Sequence, residues 1–529
     1  MALRRRLLTS VLLTLALATG VAGPTATPAT AAPAPTTGWR FLDVSTHDGV
    51  KLKANLIAPT TPGPHPAIVF VSSWGLNDAQ YLAQAKTFAQ SGYVVLSYTT
   101  RGFWGSGGQV ETAGPADIAD VSAVIDWLVA NTDTDPARIG VGGVSYGAGI
   151  SLIAAGHDRR IRAVVAMSAW TDLVASLYGD QTRRPQAVLL LRAAAQLLGR
   201  PSAEFNRVAD DYFANRNVPG LIEWGELRSA RTYLAGLNAN APAVLMANAY
   251  GDSMFPPNQL VDFFAQLTGP KRLELAPGDH AIPELTGLAG IPNHVWTSTR
   301  RWFDEHLAGV DTGISAEPVV LRVRNAGGTV ESYPDWAGVT GSSFRYHLGD
   351  VPWWDRTGPL SPGPSSGWTE SFRATGDTVA TGGVVMLTNG LEALTGIPPV
   401  AWLPAVDRGR SAVWSTGALP RGAAVRGIPK LHLTVKPAAA AGTLVSYLYD
   451  VDTLGTGQLV THAPFSWTTA RPGALMTVDT ALPATAWNVP AGHRLALVVD
   501  TKDPLYLDWN PYGATVSVTG GSWLDVPLK

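Results

Sequence analysis

Arg138-Ile-Gly-Val-Gly-Gly-Val-Ser-Tyr-Gly-Ala-Gly149 is the stretch from which the fold is read. Ile139 and Val141 give the apolar approach of a buried strand, Gly143-Val-Ser-Tyr-Gly147 fits G-x-S-x-G, and a small-residue helical run follows over 149–155. In such a strand–turn–helix the serine occupies a strained turn, flanking glycines avoid a Cβ collision, and the helix N-terminus offers N–H groups to developing negative charge. The five-residue pattern alone decides little, because Gly363-Pro-Ser-Ser-Gly367 fits it too. That copy has no strand before it and lies in the turn-forming run 361–367, so it reads as a loop. The flanking strand and helix are what make Ser145 the candidate nucleophile.

Outward from Ser145, strands and helices alternate. Residues 39–45 and 50–57 flank the hairpin signal Asp48-Gly49. Residues 67–71 and 93–97 are continuous apolar runs, and 117–131 carry apolar residues at helical spacing. Residues 161–167, 243–250 and 271–276 read as further strands, before a closing helix over 295–307. This order predicts an α/β fold with a mostly parallel sheet and helices on both faces. From 173 to about 240 the alternation stops, and helical runs such as 187–198 predict a cap inserted over the carboxyl edge of the sheet. Beyond about 312, short β runs between Gly/Pro turns (319–323, 430–435, 444–449, 495–499) predict a jelly-roll β-sandwich. The expected organisation is a signal peptide over 1–31, an α/β-hydrolase core over 32–172 and 241–311, a helical cap over 173–240, and a C-terminal sandwich over 312–529.

Composition narrows the function classes. Arg4-Arg-Arg6 precedes an apolar stretch over 7–18 that is too short for a membrane span, and Ala29-Thr-Ala31 offers a small-x-small cleavage site. The expectation is a secreted protein with no membrane association after cleavage. No cysteine is present, which excludes disulfides, thiol catalysis and thiolate metal sites. The formal charge of −2 falls to −5 without the three signal arginines, and no basic run exists, so nucleic acid is not an expected partner.

A serine hydroxyl needs a base to take its proton and an acid to hold that base. In α/β-hydrolases the chain order is serine, acid, histidine, each after a strand. Asp252 in Tyr250-Gly-Asp-Ser253 and His280 in Pro277-Gly-Asp-His280 meet both conditions. Asp279 is the alternative acid and His294 the alternative base. For the oxyanion hole the backbone N–H of Tyr146 is the first donor, and Trp74, in the loop after the strand at 67–71, supplies the second or packs against the cap. His47-Asp48 and Asp279-His280 are isolated pairs, so no metal is expected, and the glycine-rich loop 101–108 fits no phosphate-binding spacing, so no cofactor is expected. Trp353-Trp354 with Tyr346 reads as a sugar-binding cluster or as packing between domains.

The chain resembles the X-Pro dipeptidyl-peptidase and cocaine-esterase (CocE/NonD) serine hydrolases. The resemblance rests on His47-Asp-Gly-Val50, Arg101-Gly-Phe-Trp-Gly-Ser-Gly107, Gly143-Val-Ser-Tyr-Gly147, Tyr250-Gly-Asp252 and Gly278-Asp-His280. In the C-terminal half it rests on Leu444-Val-Ser-Tyr-Leu-Tyr-Asp-Val-Asp452 and Pro490-Ala-Gly-His-Arg-Leu495. It implies an α/β-hydrolase with a helical cap and a galactose-binding-like jelly-roll, no cofactor, and Ser145, Asp252 and His280 as nucleophile, acid and base. The implied substrate is a small peptide or an acyl ester. One departure is that the family commonly has a tyrosine after the early strand to complete the oxyanion hole. Here Ser73-Trp-Gly75 stands there, which points to a backbone N–H or the Trp74 indole instead. A peptidase also needs a group for the substrate's α-ammonium, for which Asp172, Asp180 and Glu223 are candidates.

Overall fold

The computed structural model describes Thr36–Lys529, so the expected signal peptide lies outside the described residues. Ten strands form the first sheet: β1 (Thr37–Ser45), β2 (Lys51–Pro59), β3 (His65–Val71), β4 (Val94–Tyr98), β5 (Thr134–Val144), β6 (Ile161–Met167), β7 (Ala243–Ala249), β8 (Lys271–Ala276), β9 (Val319–Arg322) and β10 (Val330–Tyr333). Their spatial order is β1-β2-β4-β3-β5-β6-β7-β8-β9-β10. All pairings from β4 to β9 are parallel, while β1–β2–β4 and β9–β10 are antiparallel. The continuous apolar runs of β4 and β7 are buried along their whole length, as a sheet covered on both faces requires.

The helices supply those covers. Helix α1 (Leu82–Ala89) and α11 (His294–His306) pack Phe88, Trp302 and Phe303 on one face. On the other face lie α2 (Pro115–Asn131), α3 (Tyr146–His157) and α9 (Asn258–Gln266), through Val121, Leu128, Ile150 and Phe263. Each such large apolar side chain contributes roughly 1.5–3 kcal/mol of burial free energy. The short α10 (Leu285–Leu288) sits between β8 and α11 in the chain.

The cap is helical throughout, with α4 (Leu173–Tyr178), α5 (Pro185–Leu198), α6 (Ala203–Ala214) and α7 (Val218–Glu226) and no named strand among its described residues. Two of its helix starts are capped by side chains, Asp172 accepting from the Ala175 N–H and Ser202 from the Phe205 N–H. The last helix of the predicted cap, α8 (Leu234–Asn240), belongs to the core layer instead. A Cβ on Gly236 would lie 2.4 Å from the Gly156 carbonyl oxygen, so two glycines bring α8 directly onto α3.

Two further expectations are corrected. Residues 319–323, read with the C-terminal sandwich, pair with β8 and extend the hydrolase sheet. A short apolar run suits any buried strand, and β8 without β9 would leave unpaired backbone groups. Trp353 and Trp354 stay 85% and 71% exposed, edge to face at 6.0 Å, and do not pack between domains. Tyr346 is buried and packs on Phe344 instead.

The thirteen strands from Ser342–Leu348 to Thr515–Leu528 form one connected sheet. Leu433, Val435, Val516 and Leu524 share a core with Leu444, Leu448, Leu495 and Leu497 from the other strands, so the sheet folds into two facing layers. One helix interrupts it, α12 (Thr388–Thr395), whose Asn389 reaches into the catalytic half. No described helix is long and apolar enough to cross a membrane.

Candidate active site

Ser145 stands between the last residue of β5 and the first of α3, with φ 57° and ψ −113°. A non-glycine residue pays strain in that region, and the surrounding backbone holds it there. Its N–H donates to the Met167 carbonyl at 2.8 Å, and its carbonyl accepts from Ala148 and Gly149 at 3.0 and 3.1 Å. A Cβ on Gly147 would fall 2.0 Å from the Val71 carbonyl oxygen, and one on Gly143 2.7 Å from the same atom. Only glycine lets β3 approach the turn so closely. Tyr81 ties the two strands, its hydroxyl accepting from the Val144 N–H at 2.9 Å and donating to the Val71 carbonyl at 3.1 Å.

The structure brings Ser145, His280 and Asp252 into one line. His280 Nε2 lies 2.7 Å from Ser145 Oγ, and Nδ1 lies 2.9 Å from Asp252 Oδ2. Asp252 is fixed by two backbone donors on its other oxygen, Met254 N–H at 2.9 Å and Phe255 N–H at 2.7 Å. With Nδ1 donating to the carboxylate, Nε2 is left as the acceptor for the serine proton. All three side chains are buried, and the Phe255 ring packs edge to face on the imidazole at 4.9 Å. Burial alone pulls the His280 pKa down, but the surrounding carboxylates, Asp252 first and then Glu284 and Asp279, together outweigh it, so the net shift is upward from the usual 6.5.

The alternatives are placed elsewhere. Asp279 makes no hydrogen bond to the His280 ring; its Oδ1 accepts from the Ser253 N–H (2.8 Å), the Ser253 hydroxyl (2.7 Å) and the His280 N–H (2.7 Å). His294 begins α11 and lines a separate cleft with Arg272, Arg301 and Arg322. Burial, and then the Arg322 charge, push its pKa down to about 4.

At the oxyanion position the indole route for Trp74 is ruled out. Its Nε1–H donates to the Leu191 carbonyl of the cap at 2.9 Å, while the ring packs on Tyr146, Phe103 and Phe205. The backbone N–H groups of Tyr146 and Trp74 have no protein acceptor among the described residues. The Ser73 hydroxyl holds this loop against the turn, donating to the Val144 carbonyl at 2.9 Å and accepting from Gln80 at 2.7 Å. The Tyr146 hydroxyl is committed to Asp117 at 2.8 Å.

Of the candidate ammonium ligands, Asp172 caps α4 and pairs with Arg231, and Glu223 is exposed on α7. Asp180 accepts from the Thr480 hydroxyl at 2.7 Å. Arg101 in the glycine-rich loop is buried and forked onto Asp120 at 2.6 and 2.8 Å, so that loop is a structural brace. His47 pairs with Asp126 at 2.9 Å. Among the described residues no three His, Cys, Asp or Glu side chains converge to hold a metal ion.

Several residues around the triad have no signal in the sequence. Asn389 of α12 donates to the Gly251 carbonyl at 3.0 Å and lies 3.5 Å from Asp279 Oδ2. The Met386 N–H donates to the Ser253 hydroxyl at 3.0 Å. The C-terminal half thus holds the acid loop and the histidine loop through Ser253 and Asp279. Arg324 and Glu392 pin α12 with a buried two-pronged ion pair at 2.7 and 2.8 Å. Glu284 is a further buried carboxyl near His280, its pKa raised to about 7 chiefly by burial. Nothing in a stretch such as Thr388-Asn-Gly-Leu-Glu392 distinguishes these from ordinary helix residues.

Comparisons with known proteins follow the two halves. The family model described as X-Pro dipeptidyl-peptidase (S15 family) matches residues 48–282, and that described as X-Pro dipeptidyl-peptidase C-terminal non-catalytic domain matches 314–523. An alpha-amino acid ester hydrolase structure superposes with a TM-score of 0.73 at 17% identity, over 95% of this chain and 98% of that one. A CocE/NonD family hydrolase from Staphylococcus aureus superposes with a TM-score of 0.71 at 13% identity, over 92% and 93%. These likenesses show the shared fold. Among curated sequences, an acyltransferase from Aspergillus calidoustus is 28% identical over 229 residues, 41% of this chain and 70% of that one. An uncharacterized 31.7 kDa protein from Escherichia coli is 28% identical over 128 residues, and the chain spans only 45% of its length.

Proposed function

The chain belongs to the X-Pro dipeptidyl-peptidase (S15) family of serine hydrolases, and from that premise we propose that it releases X-Pro dipeptides from peptide N-termini by a Ser145–His280–Asp252 acyl-enzyme mechanism. The observation that carries the mechanism is the 2.7 Å contact from His280 Nε2 to Ser145 Oγ, continued by the 2.9 Å contact from Nδ1 to Asp252. His280 takes the serine proton as Oγ attacks the substrate carbonyl. Asp252 steadies the imidazolium, and the backbone N–H groups of Tyr146 and Trp74 receive the oxyanion. His280 then protonates the leaving amine, and water, deprotonated by the same imidazole, hydrolyses the acyl-enzyme. The dipeptidyl-peptidase reading is supported by matches to that family in both halves of the chain.

A second reading, a carboxylesterase or amidase for small acyl groups, is favoured by one observation. Asp172 is neutralised by Arg231, and Glu223 and Asp180 are both exposed, so none of the three candidates is a buried free carboxylate for an α-ammonium. Turnover of Gly-Pro p-nitroanilide and of p-nitrophenyl butyrate, by wild type and Ser145→Ala, separates the two. Cleavage of the anilide supports the peptidase, and cleavage of the ester alone supports the esterase. Neither substrate cleaved, or both cleaved equally by Ser145→Ala, overturns the mechanism. We also propose export through the 1–31 segment, tested by an extracellular protein whose N-terminus is Ala32.

A further inference from the structure

A cleft of about 580 Å3 lies where cap, core and sandwich meet, with Asp172, Asp180, Arg184, Arg231, Asp262 and His462 on its walls. Neither Ser145 nor His280 lines it. Its charges are not balanced in place. Asp172 and Arg231 neutralise each other. Arg184 is only 9% exposed, yet no carboxylate oxygen among the described residues comes within 4.0 Å of it. It donates to the Ser253 carbonyl at 3.3 Å and lies over the Tyr506 ring at 5.1 Å, both neutral partners. A buried guanidinium without a counter-charge is expensive, because desolvation is not offset by an ion pair. His462 adds no second cation, since burial, and then Arg184 itself, hold its pKa down at about 3.

Carboxylates line the same cleft. Asp180 accepts only the Thr480 hydroxyl, and Asp262 makes no ion pair among the described residues. Asp180 and Asp262 are both exposed, and Asp180 feels the field of Arg184 without forming an ion pair with it. The cleft walls therefore carry one buried cation and an exposed carboxylate that form no ion pair with each other.

We propose that this cleft binds a small zwitterion, a free amino acid or short peptide, with its carboxylate on Arg184 and its ammonium on Asp180. Arg184 contacts Ser253, the residue after the triad acid, so the bound ligand adjoins the acid loop. The choice of a dipeptide as ligand rests on the peptidase reading above, whose product it is; the zwitterionic character does not.

The test uses the full chain carrying Ser145→Ala, titrated calorimetrically with glycylproline, glycylprolinamide and N-acetylglycylproline. Glycylproline is expected to bind at least about tenfold more tightly than either singly charged analogue, the scale of one lost charge-assisted hydrogen bond. Adding Arg184→Met should abolish the acid-over-amide preference, with Arg184→Lys retaining part of it, and Asp180→Asn should abolish the penalty for N-acetylation. Equal binding of acid and amide, no binding of glycylproline, or a folded Arg184→Met protein that keeps the preference overturns the proposal. Binding of glycylproline by the Ser145→Ala protein, when the wild type does not cleave Gly-Pro p-nitroanilide, would instead defeat the peptidase reading and leave the cleft assignment standing.

Discussion

Replacing Asp252 by asparagine exchanges one oxygen for an NH2 group and should reverse the histidine's tautomer. Asp252 Oδ1 accepts from the Met254 and Phe255 N–H groups at 2.9 and 2.7 Å. Those two donors require an oxygen, so the introduced amide turns its NH2 group toward His280 Nδ1, 2.9 Å away in the native protein. Nδ1 must then accept, Nε2 carries the proton, and the Nε2–H points at Ser145 Oγ with no lone pair for the serine hydrogen. The geometry survives while the base is lost. In the serine-protease triad the same exchange lowers kcat about 10⁴-fold, which corresponds to about 5.5 kcal/mol of transition-state stabilisation. The assay is kcat/KM for whichever of Gly-Pro p-nitroanilide and p-nitrophenyl butyrate the wild type cleaves, with circular dichroism to establish folding. A folded Asp252→Asn protein within about tenfold of wild type would refute the assignment of Asp252 as the orienting acid.

Three other outcomes are expected. The kcat/KM profile should fall as pH drops, with a midpoint above the usual histidine value of 6.5, because the base must be neutral and Asp252 favours the imidazolium. Asp279 and Glu284, buried carboxyls raised to about 6 and about 7, gain charge over the same range, so a midpoint below 6.5 would contradict the electrostatics. Trp74→Phe keeps the backbone N–H and deletes only the indole bond to Leu191, so kcat should drop less than about tenfold, whereas loss of an oxyanion donor costs about 10²–10³. Glu392→Gln strands Arg324 as a buried charge and should cost about 3–5 kcal/mol in denaturant unfolding; a loss under about 1 kcal/mol would show that the pair does not hold α12.

What is legible in the sequence is what local chemistry dictates. The elbow shows because a buried strand, two glycines and a small-residue helix are all needed within a short span. Asp252 and His280 show because each follows an apolar strand in a turn-forming loop, so the sheet delivers them to one edge whatever the rest of the chain does. The cap shows as an interruption of alternation, but its end does not, since α8 has the same helical texture whether it packs on α3 or over the sheet. The ninth strand is misassigned for a similar reason: Val319–Arg322 is apolar enough for either sheet, and only the open edge of β8 decides between them. The role of the Trp74 indole is undecidable without the cap, because its acceptor is the carbonyl of Leu191, far along the chain. Asn389, Arg324 and Glu392 act only through contacts between the two halves, so their sequence neighbourhoods carry no trace of them. The same holds for Arg184, whose lack of a counter-charge is a property of the assembled cleft.

The central claim is that Ser145 carries the acyl group. The most direct measurement is mass spectrometry of the full chain after reaction with a fluorophosphonate, followed by peptide mapping. The expected result is a single adduct, located on Ser145, absent from Ser145→Ala and formed far more slowly by Asp252→Asn. No adduct on the folded wild type, or an adduct at another residue that persists in Ser145→Ala, would contradict it.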